Sequence, residues 1–360
     1  MKILVAIPTY NNSRYNYTIK QTLRALSSQK YNDFQLLIVY KPSKNDKTLD
    51  IIDSFKEKLD IIIKIQYNGY IEDAMNIILQ ESEDYDITII TDDDSIPPPT
   101  WIKEHVQLYD KYEKVGVIGG YTYAKTEKHP SDYNIPYNGN YILQKFRYIL
   151  RKIIGYYSPH PLNRGYTCYI NSFGIGVESK NKKQITMNKY TKSICLAGVN
   201  MSFRSRFLDG YRLPTATIRG INYEKLIALN FIKKGFHSIK APIYVTHLER
   251  ESLSRPHNLL TEIQITFENL LLPYLITLNN ILINFYKLNI YKKLTEFFYI
   301  INKDLRTCIA LLSLEAAYKW ARTMYDPKKA RRKIQKLYNI LQKININNFD
   351  CKSIKNSWNI

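Results

Sequence analysis

Several features that would identify a chemistry at a glance are missing from this sequence. Neither G-x-G-x-x-G nor G-x-x-x-x-G-K occurs, and the stretch after the first apolar run, "IPTYNNSRYN", holds no glycine. A dinucleotide-binding or P-loop enzyme is thereby excluded, and a nucleotidyltransferase, which brings a Gly-rich phosphate loop near its first strand, is disfavoured. The four cysteines, Cys168, Cys195, Cys308 and Cys351, are widely scattered. No two have the spacing of a metal site or a redox pair, so they read as reduced thiols of a cytosolic protein. No window offers about 18 uninterrupted apolar residues, so no membrane span is predicted. The opening "MKILVAIPTYNN" has no small-residue cleavage site after its apolar run and reads as a first strand, not a secretory signal. There is no internal repeat, no low-complexity tract and no nucleic-acid-binding module. Acid is scarce: 32 Asp and Glu stand against 52 Lys and Arg, a formal net charge of +20. That balance calls for an anionic partner, whether nucleic acid, anionic lipid or a phosphorylated substrate.

What is present is a chain of 360 residues with 45% apolar content, enough for a sizeable core. Across the first 120 residues, apolar β-branched runs ("KILVAIP", "FQLLIVY", "IIIKIQY", "DITIIT", "VGVIGG") alternate with helical patterns near 17–30, 46–59, 71–82 and 100–113. This alternation predicts βαβ units and a mostly parallel sheet, an α/β fold. Residues 121–195 are less regular and include a basic helical stretch, "LQKFRYILRKIIGYY". Order resumes with "GVNMSFRSRFL", a helix "NYEKLIALNFIKKGF" that ends on Lys, Lys and Gly, and a strand "PIYVTHLE". From 256 onward only helices are predicted, and residues 256–360 hold 16 Lys and Arg against 7 Asp and Glu.

Chemistry concentrates at "DITIITDDDSIPPP". Asp92, Asp93 and Asp94 follow an apolar strand directly, and parallel sheets bind ligands beyond the carboxyl ends of their strands. Two aspartates one residue apart can reach one hard cation, and Mg²⁺ is commonly held by one or two carboxylates plus substrate phosphates. The plainer alternative is an acidic turn capping the next helix, with the prolines fixing its start.

Four segments occur in a telling order: "VAIPTYNN", "YNGYIEDAMN", "TDDDSIPPPTW" and "LAGVNMSFR". Over residues 1–250 the chain resembles the inverting glycosyltransferases of family 2, which have the GT-A fold. The resemblance implies a GT-A catalytic domain at 1–255, with a nucleotide-sugar half at 1–120 and an acceptor half at 121–255, and a helical extension at 256–360. It implies a divalent cation, Mg²⁺ or Mn²⁺, held by Asp94 and by His247 at the end of "PIYVTHLE". Asp92 would contact the nucleotide ribose, with Asp93 as the variable middle position. Pro8, Thr9, Tyr10, Asp46, Asn68, Asp73 and Asn76 would lie on the donor side. Gly198, Asn200 and Arg204 would line the acceptor side.

Two positions depart from the family pattern. The stretch "VYKPSKNDKT" keeps Asp46 and Thr48, but Tyr40 or Lys41 stands where the base-reading aspartate belongs. The usual Glu-Asp pair that opens the helix before "K-x-G" is Tyr223-Glu224 here. Glu224 is then the candidate general base, since a hydroxyl needs a carboxylate to take its proton during attack. Otherwise it is a first-turn glutamate complementing the helix dipole.

The expected partners are a nucleotide-diphosphate sugar and a glycan or lipid-linked acceptor. A cytoplasmic location is expected, extending to the inner membrane face if the apolar "LLLPYLITLNNILINFY" and the basic "DPKKARRKIQKLY" meet anionic lipid. The alternative for those helices is packing within the protein or in a homodimer. An inactive relative that binds membrane or nucleic acid is the non-enzymatic reading.

Overall fold

The computed structural model describes residues 1–124, 141–178, 190–248, 258–345 and 349–359. The predicted alternation is present as β1 (Ile3–Tyr10), α1 (Ile19–Ser27), β2 (Gln35–Lys41), α2 (Thr48–Asp53), β3 (Ile61–Ile65), α3 (Ile71–Glu81) and β4 (Ile87–Ile90). Further along come β5 (Ser95–Ile96), α4 (Trp101–Lys111), β6 (Val115–Ala124), α5 (Tyr141–Ile153), β7 (Cys168–Ile170), β8 (Gly176–Glu178), β9 (Thr191–Lys192), β10 (Met201–Arg204), α6 (Tyr223–Lys233) and β11 (His237–His247). The main sheet has the order β3-β2-β1-β4-β10-β6-β11-β5, with β9 added to β11.

The central strands read as continuous Ile, Leu and Val because helices cover both faces. Leu4, Val5, Ala6, Leu37 and Ile38 are fully buried. The helices present the matching stripe, as Ile19, Leu23 and Leu26 do on α1. β1 runs parallel to β2 and β4, and β11 runs parallel to β6. β10 is antiparallel to both β4 and β6, between which it lies. One edge of the sheet therefore collects the carboxyl ends of β1, β2, β4, β6 and β11.

Contacts divide the chain into two compact units. One comprises Met1–His129, Asn181–Leu213 and Ile227–Arg250, and the other Pro130–Lys180, Pro214–Leu226 and Glu251–Ile360. The boundary expected at residue 255 lies outside the described residues. The first unit holds the main sheet around a core of Ile7, Leu23, Ile38, Ile89, Trp101 and Ile118. The second holds α5, the β7–β8 hairpin and six more helices: α7 (Leu259–Leu270), α8 (Leu272–Leu278), α9 (Phe285–Asn302), α10 (Leu305–Thr323), α11 (Pro327–Leu341) and α12 (Cys351–Trp358). The starts of α7, α9, α10, α11 and α12 are set by Asn258, Asn284, Asp304, Asp326 and Asp350, whose side chains accept from the first-turn amides.

The first part of the apolar stretch of the second unit is core, whereas Leu282 and Tyr286 near its end are exposed. Leu271, Leu272, Tyr274, Leu275 and Ile276 are buried, and α11 buries Ala330, Ile334, Leu337, Tyr338 and Leu341. Among the described residues no helix is long and apolar enough to cross a membrane. The reading of four reduced thiols is corrected. Cys308 on α10 and Cys351 on α12 form a disulfide with Cα atoms 5.9 Å apart, and Cys168 and Cys195 are disulfide-bonded too. Packing brings together cysteines 43 residues apart, which no local spacing announces. Scattered cysteines therefore give no ground for a reducing compartment.

Candidate active site

The site is built from main-chain pairing before any side chain takes part. β4 ends at Ile90, and the chain turns sharply: the Ser95 amide and hydroxyl both donate to the Asp92 carbonyl, at 3.3 and 3.0 Å. Ser95 and Ile96 then pair antiparallel with His247 and Thr246 at the end of β11. The Leu248 amide closes the arrangement on the Asp94 carbonyl at 2.8 Å. Two strand ends far apart in sequence are thus locked beside each other.

Their side chains converge. His247 Nε2 lies 3.2 Å from Asp94 Oδ1 and 3.5 Å from Asp92 Oδ2. One ligand atom from each residue falls within 4.8 Å of the others, a group that could hold a metal ion. Asp94 and His247 are buried, and Asp92 is half-exposed and open to a ligand. Burial drives the His247 pKa down, but the hydrogen bonds and charges of Asp92 and Asp94 outweigh it and hold it up at about 9. The two carboxylates attract one positive charge, and a protonated imidazole or a divalent cation can supply it.

Asp93 faces the other way. It is buried, and its Oδ2 accepts from the Thr9 hydroxyl and, at 2.8 Å, from Asn12 Nδ2. Asn12 Oδ1 in turn accepts from the Ile19 amide at the start of α1, at 3.1 Å. The middle aspartate and Thr9 therefore tie the end of β4 to the end of β1. Asn12, which the sequence reading did not single out, completes the tie; its place in "TYNN" was the available signal.

The donor-side residues divide. Pro8 is half-buried on β1, and Tyr10, the last residue of that strand, is 55% exposed. Asp46 is committed to its own turn, accepting from the Thr48 amide at 3.1 Å and from Ser43 at 3.2 Å. Asp73 Oδ2 accepts from the Tyr70 amide at 2.7 Å and caps α3. It closes over Gly69, whose φ of +92° suits glycine and whose added Cβ would lie 2.3 Å from the Asp73 carboxyl. Asn76 holds the Leu213 amide and carbonyl at 2.7 and 3.0 Å. Asn68 is exposed.

The structure separates the two residues at the position of the missing base-reading aspartate. Tyr40 is buried. Lys41 Nζ reaches the Gly69 carbonyl at 2.6 Å and lies 5.0 Å from the Tyr10 ring. A cation and an exposed aromatic ring stand at this strand end.

On the expected acceptor side, Gly198–Asn200 form a short 3-10 turn leading into β10. Asn200 is fully buried: its Nδ2 donates to the Tyr121 and Ile243 carbonyls at 3.0 Å each, and its Oδ1 accepts from Trp101 Nε1 at 2.9 Å. Arg204 donates to the carbonyls of Val115 and Tyr109 at 2.8 and 2.7 Å. Both polar side chains are used in holding β10, β6 and α4 together.

Glu224 sits half-buried in the first turn of α6, in a stretch assigned to the second unit. The segment before it is anchored by Glu268 on α7, a fully buried carboxyl that accepts from the Ile218 and Arg219 amides at 3.0 and 2.9 Å and from the Tyr338 hydroxyl at 2.9 Å. Asn222 Nδ2 adds a bond to the Glu268 carbonyl at 2.9 Å. Burial raises the Glu268 pKa, against the lowering effect of those amide bonds.

Residues 4–174 match the family model "Glycosyl transferase family 2". A search of curated proteins returns no match. Among solved structures the chain is similar to S. aureus TarS 1-349 in complex with UDP-GlcNAc, at 16% identity over 96% of this chain and 93% of that one, with a TM-score of 0.50. Another is the mannosyltransferase PcManGT from Pyrobaculum calidifontis in complex with GDP-Man and Mn²⁺, at 15% identity over 99% of this chain and 85% of that one, with a TM-score of 0.49. Residues 4–174 thus carry the match to a family 2 glycosyltransferase domain, and the mostly parallel sheet in the order described, with helices on its faces, is the GT-A fold.

Proposed function

We propose that the protein is an inverting, cation-dependent glycosyltransferase that moves a sugar from a nucleoside-diphosphate donor to a hydroxyl of a glycan or lipid-linked acceptor. The observation that carries this reading is the Asp92–Asp94–His247 cluster at the carboxyl ends of β4 and β11. Its donor set of two carboxylates and one imidazole suits Mn²⁺ or Mg²⁺, the carboxylates satisfying a hard ion and the imidazole favouring the softer of the two. Asp94 and His247 would hold the cation, and half-exposed Asp92 would share it with the donor. A cation bound there neutralises a departing diphosphate as a Lewis acid. That the similar TarS structure contains UDP-GlcNAc supports a nucleotide-sugar donor.

The remaining steps belong to the chain's own groups. Tyr10 offers an exposed ring beside Lys41 for the nucleotide base, with Lys41 donating where the family pattern has an acceptor. Glu224 takes the proton from the acceptor hydroxyl as that oxygen attacks the anomeric carbon, and the diphosphate leaves from the opposite face.

Calorimetric titration of UDP- and GDP-sugars into the full chain, with and without Mn²⁺, tests the site. Binding should require the cation, and Asp94→Asn should weaken it by more than tenfold, about 1.4 kcal/mol. Equal cation-dependent affinity in wild type and variant would remove the assignment.

A further inference from the structure

The helix α5 is folded inside out, and it shares a surface with α9 within the second unit. Its arginines Arg147 and Arg151 point inward. Arg147 lies over the Phe298 ring of α9 at 4.9 Å, and Arg151 Nη2 donates to the Tyr291 hydroxyl of α9 at 3.1 Å. Two of its aliphatic side chains point outward: Ile149 is 46% exposed and Ile153 73%, while Leu143 and Leu150 are half-buried. An amphipathic helix that faces only water and its own core does the reverse. α9 continues the surface. It buries Leu288, Tyr291 and Phe298, yet leaves Ile300 63% and Ile301 48% exposed. Phe146 of α5 and Phe297 of α9, both exposed, join the two helices, with ring centroids 6.5 Å apart.

Cations rim this apolar face. Lys145 and Lys152 are exposed on α5, which carries no acid among residues 141–153, and Lys293 is exposed on α9, where Glu296 is the single exposed acid. We infer that the α5–α9 face is an interfacial membrane-binding surface that seats on anionic phospholipid. The aliphatic side chains would enter the acyl boundary and the lysines would meet the headgroups. Charge decides between occupants. A second copy placing the same face here would oppose lysine to lysine, since an isologous interface pairs a patch with itself. A nucleic acid would satisfy the lysines but leave Ile149, Ile153, Ile300 and Ile301 without an apolar partner. Anionic lipid matches both halves of the surface. It places membrane attachment on α5 and α9 and not on the apolar residues of α8, which are core.

The test is co-sedimentation of the full chain with vesicles of phosphatidylcholine alone or with 30% phosphatidylglycerol, at low and high salt. Wild type should partition at least tenfold better to the anionic vesicles and be released by salt. The exposed-site variant Ile149→Gln/Ile153→Gln/Ile300→Gln/Ile301→Gln should keep the wild-type melting temperature and lose at least tenfold in binding. Lys145→Glu/Lys152→Glu should abolish the preference for anionic vesicles. Wild-type protein left in the supernatant with anionic vesicles at low salt would overturn the proposal. So would undiminished binding by the four-glutamine variant, or a wild-type dimer that this variant alone converts to monomer.

Discussion

The two units handle charge in opposite ways. In the sheet unit, charged and polar groups are buried and matched: Asp93 with Thr9 and Asn12, Arg204 with three carbonyls, His247 with Asp92 and Asp94. In the helical unit the net positive charge lies largely on the surface, interleaved on α5 and α9 with apolar side chains. Buried charge of the first kind is costly unless geometry is fixed, and so it survives where a site needs fixed geometry. Exposed cations beside exposed isoleucines fix nothing within the chain and instead create a surface for something else. Arg151, turned inward onto Tyr291, and Glu268, a buried carboxyl, are exceptions in the helical unit, and each holds a segment in place.

The largest effect that would sharpen the comparison concerns Glu224, which the helical unit carries although the acidic cluster lies in the sheet unit. Glu224→Gln preserves shape and removes basicity. Sugar transfer should fall by roughly 10² to 10⁴ while donor affinity is retained. Transfer at the wild-type rate would leave the helical unit without a chemical role and make Glu224 only a first-turn glutamate.

Next in size is Glu268. Glu268→Ala leaves the amides of Ile218 and Arg219 and the Tyr338 hydroxyl without their acceptor. Urea unfolding should show a loss of about 3–5 kcal/mol. A loss below about 1 kcal/mol would show that the helical unit does not depend on buried charge in the way the sheet unit does.

The smallest effect is a pH dependence in the sheet unit. His105 is fully buried between Ser202 Oγ and Asn200 Oδ1, at 2.8 and 3.1 Å. Burial lowers its pKa to about 4, against the raising effect of the Asn200 bond. The unfolded chain, with an ordinary pKa near 6.5, binds the proton more readily between those values. The stabilisation is therefore fully present above about pH 6.5 and is lost as pH falls toward 4, by about 2 kcal/mol between pH 7 and pH 5. Urea midpoints at the two pH values should show this in wild type and not in His105→Gln. Parallel slopes in the two proteins would assign acid sensitivity elsewhere.

Much of the sheet unit was legible because its signals are local. Periodic apolar runs gave β1 to β4 and α1 to α4, and the position of "DDD" directly after an apolar run placed the acidic turn at the end of β4. The pairing of Asp94 with His247 was reached through family resemblance. Its physical cause, the short β5 pairing with the end of β11, has no sequence signal, since two residues are too few for a period. The donor and acceptor sets were less legible. Asp46, Asp73, Asn76, Asn200 and Arg204 have the polarity of ligand-binding residues, but polarity does not reveal whether a carbonyl or a substrate is the partner.

The sequence by itself determined the alternation of strands and helices, the switch to helices after residue 256, the excess of positive charge and the acidic strand end. Each is a property of neighbours along the chain, or of composition. The tertiary structure alone decided what depends on contacts between distant residues. These are the insertion of antiparallel β10 between β4 and β6, the disulfide between Cys308 and Cys351, and the burial of the apolar stretch in α8. The inward turn of Arg147 and Arg151 on α5 belongs with them. A hydrophobic pattern states that a face will be covered, and only packing determines by what.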